Sequence, residues 1–197
     1  MEPNETVSQV ETRAEPAPRA HHWGEVRGWI RDVLIASGLA LVIIVFLYQP
    51  VKVEGTSMTP LLHDQERIFI NKFIYKYEPI QRGDVVVFWY PRDNKKSFIK
   101  RVIAMPGELM EIRQGRVYVN SRLVDEPYIP PMYFDSSSFG PIRIPNDEFF
   151  LMGDHRSSSN DSRVFGPVAE DLIYGKAVFA YWPMERFGAI PAFADQK

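Results

Sequence analysis

The stretch GTSMTPLL, residues 55–62, follows closely on VLIASGLALVIIVFLY, residues 33–48, the only long uncharged apolar run of the chain. From residue 51 onwards the pattern changes to short runs rich in β-branched and aromatic residues, broken by Pro and Gly. Ser57 lies at this change of pattern. A serine hydroxyl is a poor nucleophile until a base accepts its proton, so a catalytic Ser57 needs a partner elsewhere in the chain.

A candidate base lies in SFIKRVIAMPGE, residues 97–108, which we interpret as a strand. Side chains alternate between the two faces of a strand, so one face carries Phe98, Lys100, Val102 and Ala104, and the other carries Ile99, Arg101 and Ile103. Lys100 then has only apolar neighbours along its own face. Desolvation lowers the pKa of a lysine, so burial there makes Lys100 a candidate base.

Two further stretches are rich in polar groups beside apolar strands. One is GDHRSSSNDSR, residues 153–163, which follows EFFLM, and the other is RGDVVVF, residues 82–88. In their order along the chain, 55–62, 82–88, 97–108 and 153–163, the four stretches behind the apolar run resemble the motif set of the bacterial type I signal peptidases, which are membrane-bound Ser/Lys endopeptidases. The resemblance extends from the apolar run to about Pro183.

The resemblance implies a role for each matched residue. Ser57 corresponds to the nucleophile and Lys100 to the general base, an accepted variant of the Ser–His–Asp scheme. Ser159 corresponds to the serine that orients the lysine ammonium. The supporting charges are expected to make the site rigid by ion pairing between loop and strand, and they are Arg101, Asp154, Asp161 and Arg163.

One position departs from the family pattern. Two-span members carry a serine two positions before the nucleophile, and its hydroxyl helps to form the oxyanion hole, whereas this chain has Gly55. We therefore expect the backbone N–H of Ser57 to carry more of that stabilisation, with the Thr56 hydroxyl as a second candidate donor.

The pattern of short apolar runs predicts a mainly β domain behind one N-terminal transmembrane helix. Strands are expected near residues 51–54, 66–71, 84–90, 97–105, 108–113, 116–120, 148–152 and 176–182, with a hairpin turning at Gln114-Gly115 and a long loop at 125–146. That the strands form a coiled signal-peptidase-type sheet is implied by the resemblance. The expected division is a disordered cytoplasmic tail at 1–26, an anchor at 27–49 and a catalytic domain at 50–197.

The apolar run is long enough to span a bilayer only with help from its flanks. Sixteen helical residues cover about 24 Å, so Trp29 and Ile30 must be included while Arg31 reaches the interface. Arginines before the run outnumber Lys52 after it, which places the N-terminus in the cytoplasm and residues 50–197 outside. Bulky residues and a proline follow the run instead of an Ala-x-Ala pattern, so we expect an uncleaved anchor rather than a removable signal peptide. A buried core helix is the other interpretation.

Composition limits the remaining chemistry. The chain of 197 residues has no Cys, and its 23 Lys and Arg against 25 Asp and Glu leave no basic block for nucleic acid. His21 and His22 are adjacent but lack further ligands, so we expect neither a metal nor another cofactor.

The resulting hypothesis is a single-pass protein of the bacterial cytoplasmic membrane that removes signal peptides from secreted preproteins after a small-x-small motif. Its expected partners are those signal peptides, the lipid bilayer and a nearby secretion translocon. The alternatives are a Ser/Lys autoproteolytic domain and an inactive signal-peptidase-like scaffold. A Ser–His–Asp triad built from Ser57, His155 and Asp154 is a further alternative for the site.

Overall fold

The computed structural model describes residues 22–193, and of residues 22–25 and 43–45 it describes the backbone alone. The chain divides into two compact units, Met1–Val42 and Ile43–Lys197. The tail predicted at residues 1–26 lies outside the described residues up to residue 21, and a helix begins at the next residue.

Helix α1 (His22–Leu47) has 26 residues, and its described apolar side chains from Val33 to Val42 are largely exposed. It begins earlier than the anchor predicted at 27–49 and ends at Leu47, just before Tyr48-Gln49-Pro50. Because a proline disfavours the helical conformation of the residue before it, Pro50 explains why the helix ends here. Among the helices of the described residues, none meets the combination of length and sustained apolarity by which a membrane span is recognised.

The second unit consists mainly of β-strands. They are β1 (Tyr48–Lys52), β2 (Arg67–Asn71), β3 (Val85–Tyr90), β4 (Asp93–Ala104), β5 (Leu109–Arg113), β6 (Arg116–Val119), β7 (Arg122–Leu123), β8 (Phe139–Arg143), β9 (Glu148–Met152), β10 (Val168–Ala169), β11 (Ile173–Trp182) and β12 (Gly188–Ala189). The connections contain helix α2 (Ser162–Phe165) and five single turns of 3-10 helix, at Ile74–Lys76, Pro131–Tyr133, Arg156–Ser158, Glu170–Leu172 and Met184–Arg186.

The strands form two antiparallel sheets. The larger has the order β1-β2-β11-β3-β4-β9-β10, with β12 paired to β11, and the smaller has the order β7-β6-β5-β8. The prediction of a mainly β domain is therefore confirmed. Strand β4 carries the candidate base Lys100, and β9 leads into residues 153–163. These two strands are neighbours in the larger sheet.

One of the apolar clusters joins the two sheets. Ile103, Phe150 and Met152 of the larger sheet pack in this cluster with buried residues of β5 and β6, such as Met110 and Val119. A separate cluster lies around β1, β2 and the centre of β11, and another around Val86, Phe88 and Val102. Burial of these side chains stabilises the larger sheet, whose strands contain or adjoin residues 82–88, 97–108 and 153–163.

Several predicted strand boundaries need correction. β4 begins at Asp93 rather than near residue 97, because it forms a tight hairpin with β3 in which Tyr90 faces Asp93. Its first residues are polar and mostly exposed, so the apolar pattern does not extend to them. β11 begins at Ile173 rather than 176, and β1 covers Tyr48–Lys52 rather than 51–54.

The loop predicted at 125–146 contains a strand that the sequence pattern conceals. β8 includes Gly140 and Pro141, two residue types that are depleted in strands. It pairs with β5 at the edge of the smaller sheet, where a proline without an N–H is tolerated. The predicted hairpin at Gln114-Gly115 is confirmed: both residues have positive φ, 49° and 77°, and Arg113 faces Arg116 across the turn.

Candidate active site

Ser57 lies in a compact turn that has apolar side chains buried in the core. Met58 and Leu62 are buried in the cluster around β2, and the N–H of Leu62 donates to the Met58 carbonyl at 2.9 Å. The N–H of Thr59 donates to the Thr56 carbonyl at 3.1 Å. The turn, residues 55–62, is called the Ser57 turn below, and its core contacts leave Ser57 half-buried at the surface.

Lys100 reaches Ser57 from strand β4. Its Nζ lies 2.6 Å from Ser57 Oγ and donates to the Ile99 carbonyl at 2.9 Å. The lysine is only 4% exposed, and its Nζ is 5.5 Å from the centre of the Phe98 ring. The structure therefore brings together the two residues that the sequence paired.

Burial changes the acid–base behaviour of Lys100. Desolvation lowers the pKa of Lys100 to about 8, although the negative charges of Asp161 and Asp154 act in the opposite direction. A lysine with this pKa is neutral in about one molecule in ten at pH 7, whereas an ordinary lysine is neutral in fewer than roughly one in a thousand. Lys100 can thus accept the Ser57 proton near neutral pH.

The predicted apolar face around Lys100 needs one correction. Phe98 and Val102 pack in the same cluster, as expected, but Ala104 packs with Ile103 in the cluster that joins the two sheets. The pairing of β4 with β9 shifts register between Val102 and Ala104, so the simple alternation ends there.

Arg101 extends to a different set of partners from those of Lys100. Its side chain is completely buried, and its Nε and Nη2 donate to the two carboxylate oxygens of Asp154 at 2.9 and 2.7 Å. Nη1 donates to the Gly83 carbonyl at 2.8 Å. This two-bond ion pair connects β4 to the motif loop, as we call residues 153–163.

The backbone of the motif loop approaches the backbone of the Ser57 turn. The N–H of His155 donates to the Ser57 carbonyl at 3.0 Å. A Cβ added to Gly153 would lie 2.4 Å from that same carbonyl oxygen and 2.3 Å from Ser159 Oγ. Any larger residue at position 153 would therefore separate the two segments.

Asp161 and Arg163 stabilise the motif loop from within. Asp161 is fully buried, accepts from the Gly153 N–H at 3.1 Å and binds the Arg163 guanidinium at 2.9 Å. Arg163 also donates to the Arg156 carbonyl and to Asp135. Of the predicted supporting charges, Arg101 and Asp154 thus make the ion pair between strand and loop, and Asp161 and Arg163 order the loop itself.

A second buried ion pair was not predicted. Arg156, 2% exposed, donates through both terminal nitrogens to the carboxylate of Glu126, which is 8% exposed. Burial opposes the charge of Arg156, but the hydrogen bonds and charge of Glu126 prevail and raise the pKa of Arg156. Glu126 lies in the segment predicted as a loop, and no periodic pattern distinguishes it from a solvated glutamate.

Ser159 lies close to Ser57 without contacting Lys100 by a hydrogen bond. Its Oγ is buried, and within the described part of the chain it has no hydrogen-bond partner. Its predicted role in orienting the lysine stays a prediction.

Donors for an oxyanion are available beside Ser57. In the region that the structure describes, the Ser57 N–H donates to no other group, and Thr56 is exposed. Gly55 has φ of 90°, a conformation that disfavours any residue with a Cβ, and its N–H donates to Asp64 at 2.8 Å. This conformation gives a physical reason for a glycine where two-span members have a serine.

His155 does not form a triad with Ser57 and Asp154. Both carboxylate oxygens of Asp154 bind Arg101, and the His155 Nδ1 lies 3.3 Å from the Thr56 carbonyl. The ring also packs edge-on against Tyr133 at 4.9 Å. His155 therefore joins neighbouring segments rather than facing the Ser57 hydroxyl.

A cleft of about 430 Å³ opens at the Ser57–Lys100 pair. Its lining consists of residues 51–57 and 97–100, Ile68 and Val87, and Ser158 and Asn160 of the motif loop. No group of three or more His, Asp and Glu side chains in residues 22–193 is arranged to hold a metal ion.

Comparison with known proteins gives consistent matches. The family model described as signal peptidase, peptidase S26, matches residues 26–182, so residues 183–193 lie beyond the matched range. The chain is 38% identical over 164 residues to signal peptidase I of Bacillus amyloliquefaciens, which covers 79% of this chain and 84% of that protein. It is 32% identical over 202 residues to the probable signal peptidase I-2 of Synechocystis sp. strain PCC 6803, which covers 98% and 88%. A signal peptidase I structure from Enterococcus faecalis V583 is 28% identical, with a TM-score of 0.44, covering 50% of this chain and 97% of that one.

The lowered pKa of Lys100 predicts the pH dependence of activity. If Lys100 is the general base, only its neutral form is active, and the rate of peptide cleavage should rise with pH through a midpoint near 8 and then stay constant. Lys100→Met keeps the bulk without the base and should lose nearly all activity while remaining folded. Steady-state rates between pH 6 and 10 test this, and a single inflection near 6.5 that survives Lys100→Met would contradict it.

The Arg101–Asp154 ion pair should be essential for stability. Asp154→Asn leaves the buried Arg101 charge without its counter-ion, so the free energy of unfolding should fall by about 3–5 kcal/mol. Asp93→Asn, which removes an exposed ion pair with Lys96, is the matched control and should cost less than about 1 kcal/mol. Urea denaturation measures both, and similar losses for the two variants would refute the special role of the buried pair.

Proposed function

This chain belongs to the signal peptidase family, peptidase S26, and we propose that Ser57 is its nucleophile and Lys100 its general base. The chain is a serine endopeptidase that removes signal peptides from secreted preproteins. The observation that carries the residue assignment is the 2.6 Å distance between Lys100 Nζ and Ser57 Oγ at the cleft.

In the proposed mechanism, the substrate lies in the cleft beside the Ser57–Lys100 pair. Neutral Lys100 accepts the proton of the Ser57 hydroxyl as Oγ attacks the scissile carbonyl. The tetrahedral intermediate collapses when the Lys100 ammonium gives its proton to the departing amine. Lys100 then activates a water molecule, which hydrolyses the acyl-enzyme and restores Ser57.

The Ser57 N–H is the first candidate for stabilising the negative oxygen of that intermediate. Among the described residues it donates to no other group, and removal of one oxyanion donor typically costs about 3–4 kcal/mol of transition-state stabilisation. Thr56 is the second candidate, since its exposed side chain borders the same cleft.

The membrane part of the proposal rests on helix α1. Its 26 residues extend over about 39 Å, more than the roughly 30 Å of a bilayer core, and residues 33–48 carry no charge. Arg27 and Arg31 before this run favour a cytoplasmic N-terminus. The proposed arrangement is a single span in the bacterial cytoplasmic membrane, with the β unit outside and close to the secretion translocon.

The two alternatives from the sequence are not favoured. The matched relatives are named signal peptidase I and align over most of the chain, rather than with an autoproteolytic domain. An inactive scaffold has no reason to keep Ser57 and Lys100 at hydrogen-bond distance in a cleft.

Cleavage specificity tests the proposed substrate. Purified full-length protein should process a preprotein with Ala at the positions one and three before the cut, and Ser57→Ala should abolish processing. Ser136→Ala, which changes an exposed serine outside the lining of the cleft, is the matched control and should retain most of the activity. Equal processing of substrates with Ala and Phe at those two positions, measured by gel shift, would exclude the small-x-small specificity.

Topology is tested separately. Protease added to intact spheroplasts should degrade residues 50–197, because the proposal places them outside the membrane. A β unit that stays intact until the membrane is lysed would reverse the proposed orientation.

A further inference from the structure

Residues 188–193, called the cover segment below, lie against the residue that follows the proposed base. The segment starts as β12, in which Gly188 faces Ala180 and Ala189 faces Phe179 of β11. The Ile190 N–H then donates to the Val178 carbonyl at 3.0 Å, and the Ile190 side chain is buried in the core. These contacts fix the start of the segment and direct its remaining residues towards Arg101.

The buried Arg101 guanidinium is completed by the cover segment. In addition to Asp154 and Gly83, its Nη1 lies 3.4 Å from the Pro191 carbonyl oxygen. Its planar group is 4.2 Å from the ring centre of Tyr128 and 5.2 Å from that of Phe193, and these rings stack on each other at 4.7 Å. Aromatic faces attract a guanidinium more strongly when water is excluded. Phe193 therefore takes part in keeping Arg101 completely dry.

The backbone of the cover segment packs directly against Gly83. A Cβ added to Gly83 would lie 1.7 Å from the Phe193 carbonyl oxygen, and Gly83 has φ of 88°. The two backbones thus meet at van der Waals contact only because position 83 lacks a side chain. The Gly83 carbonyl at the same place accepts from Arg101.

We propose that Phe193 is a positioning residue for catalysis, which holds the Arg101–Asp154 ion pair dry and thereby keeps Asp154 neutralised beside the site. The inference rests on the proposed role of Lys100 as the base. No hydrogen bond or ring contact within the described residues joins Phe193 to Ser57 or Lys100, so we expect its effect on the site to pass through the Arg101–Asp154 ion pair.

The consequence for Lys100 follows from the charges around it. Asp154 and Asp161 both favour its ammonium form, and they are neutralised by Arg101 and Arg163 respectively. If loss of the Phe193 ring admits water to Arg101, its bonds to Asp154 weaken and the carboxylate acts more strongly on Lys100. The pKa of Lys100 then rises, and fewer molecules carry the neutral base at pH 7.

The test compares substitutions of Phe193 with a matched control. Phe193→Leu replaces the ring with a smaller side chain that leaves part of the Arg101 guanidinium open to water, Phe193→Tyr keeps the ring, and Phe193→Ala removes the side chain beyond Cβ. Phe187→Ala is the control, because Phe187 precedes the same segment but is 60% exposed and packs on Phe179 instead. All variants are made in the full-length protein in detergent, and thermal unfolding checks that each is folded.

The expected result is a change in the pH profile. For Phe193→Leu, kcat at pH 7 should fall about tenfold, as expected for a pKa raised by one unit, with KM within about twofold of the original. The deficit should disappear above about pH 10, where Lys100 is neutral in either protein, whereas a merely structural defect would persist. Phe193→Tyr and Phe187→Ala should keep the original profile. If Phe193→Ala does not fold, Phe193→Leu alone decides.

A second readout separates this inference from the assignment of the base. The pKa of Lys100 is measured without substrate by NMR on protein labelled at the lysine ε-carbons, with Lys100→Met to identify the resonance. A higher pKa of Lys100 in Phe193→Leu supports the proposed role of Phe193 even if Lys100→Met remains active. In that case only the assignment of Lys100 as the base fails. An unchanged resonance and pH profile in folded Phe193→Leu, or the same shift in Phe187→Ala, would overturn the proposal.

Discussion

The ion pair between Arg101 and Asp154 is the interaction on which the rest of the site depends. It joins strand β4, which carries Lys100, to the motif loop, whose backbone bonds directly to Ser57. Two charges without exposure to water are costly unless each finds a close partner, and here both oxygens of the carboxylate face two nitrogens of the guanidinium. The remaining Arg101 nitrogen binds backbone carbonyls, so the pair has little freedom to rearrange.

The same charges also limit how far Lys100 can be tuned. Burial lowers its pKa, whereas Asp154 and Asp161 oppose that effect. Without nearby arginines, the charges of the two carboxylates would raise the pKa of Lys100 further. Arg101 and Arg163 therefore have a double effect, since they order the loop and reduce the field of the carboxylates at the lysine.

Much of this arrangement could be predicted from sequence. Alternation along residues 97–104 separated Lys100 from Arg101, and the order of four motifs supplied the partner Ser57. The contributions of Glu126, Tyr128 and Phe193 could not be predicted in the same way, because each lies in an irregular segment whose path is set by tertiary contacts rather than by periodicity. The strand β8 was missed for a related reason: its Gly and Pro are typical of turns, and only its place at a sheet edge makes them acceptable.

The alternation of β4 has a consequence for how this segment can vary in length. Lys100 and Arg101 are adjacent, yet one reaches Ser57 and the other the buried carboxylate of Asp154 in the motif loop. Inserting or deleting a single residue just before them would exchange the two faces and send the permanently charged guanidinium towards Ser57. Apolar neighbours such as Phe98 and Val102 can be replaced by similar residues, but the number of residues between them cannot change. Insertions and deletions in natural or engineered variants should therefore occur in the exposed polar stretch at residues 94–96 rather than between Phe98 and Val102.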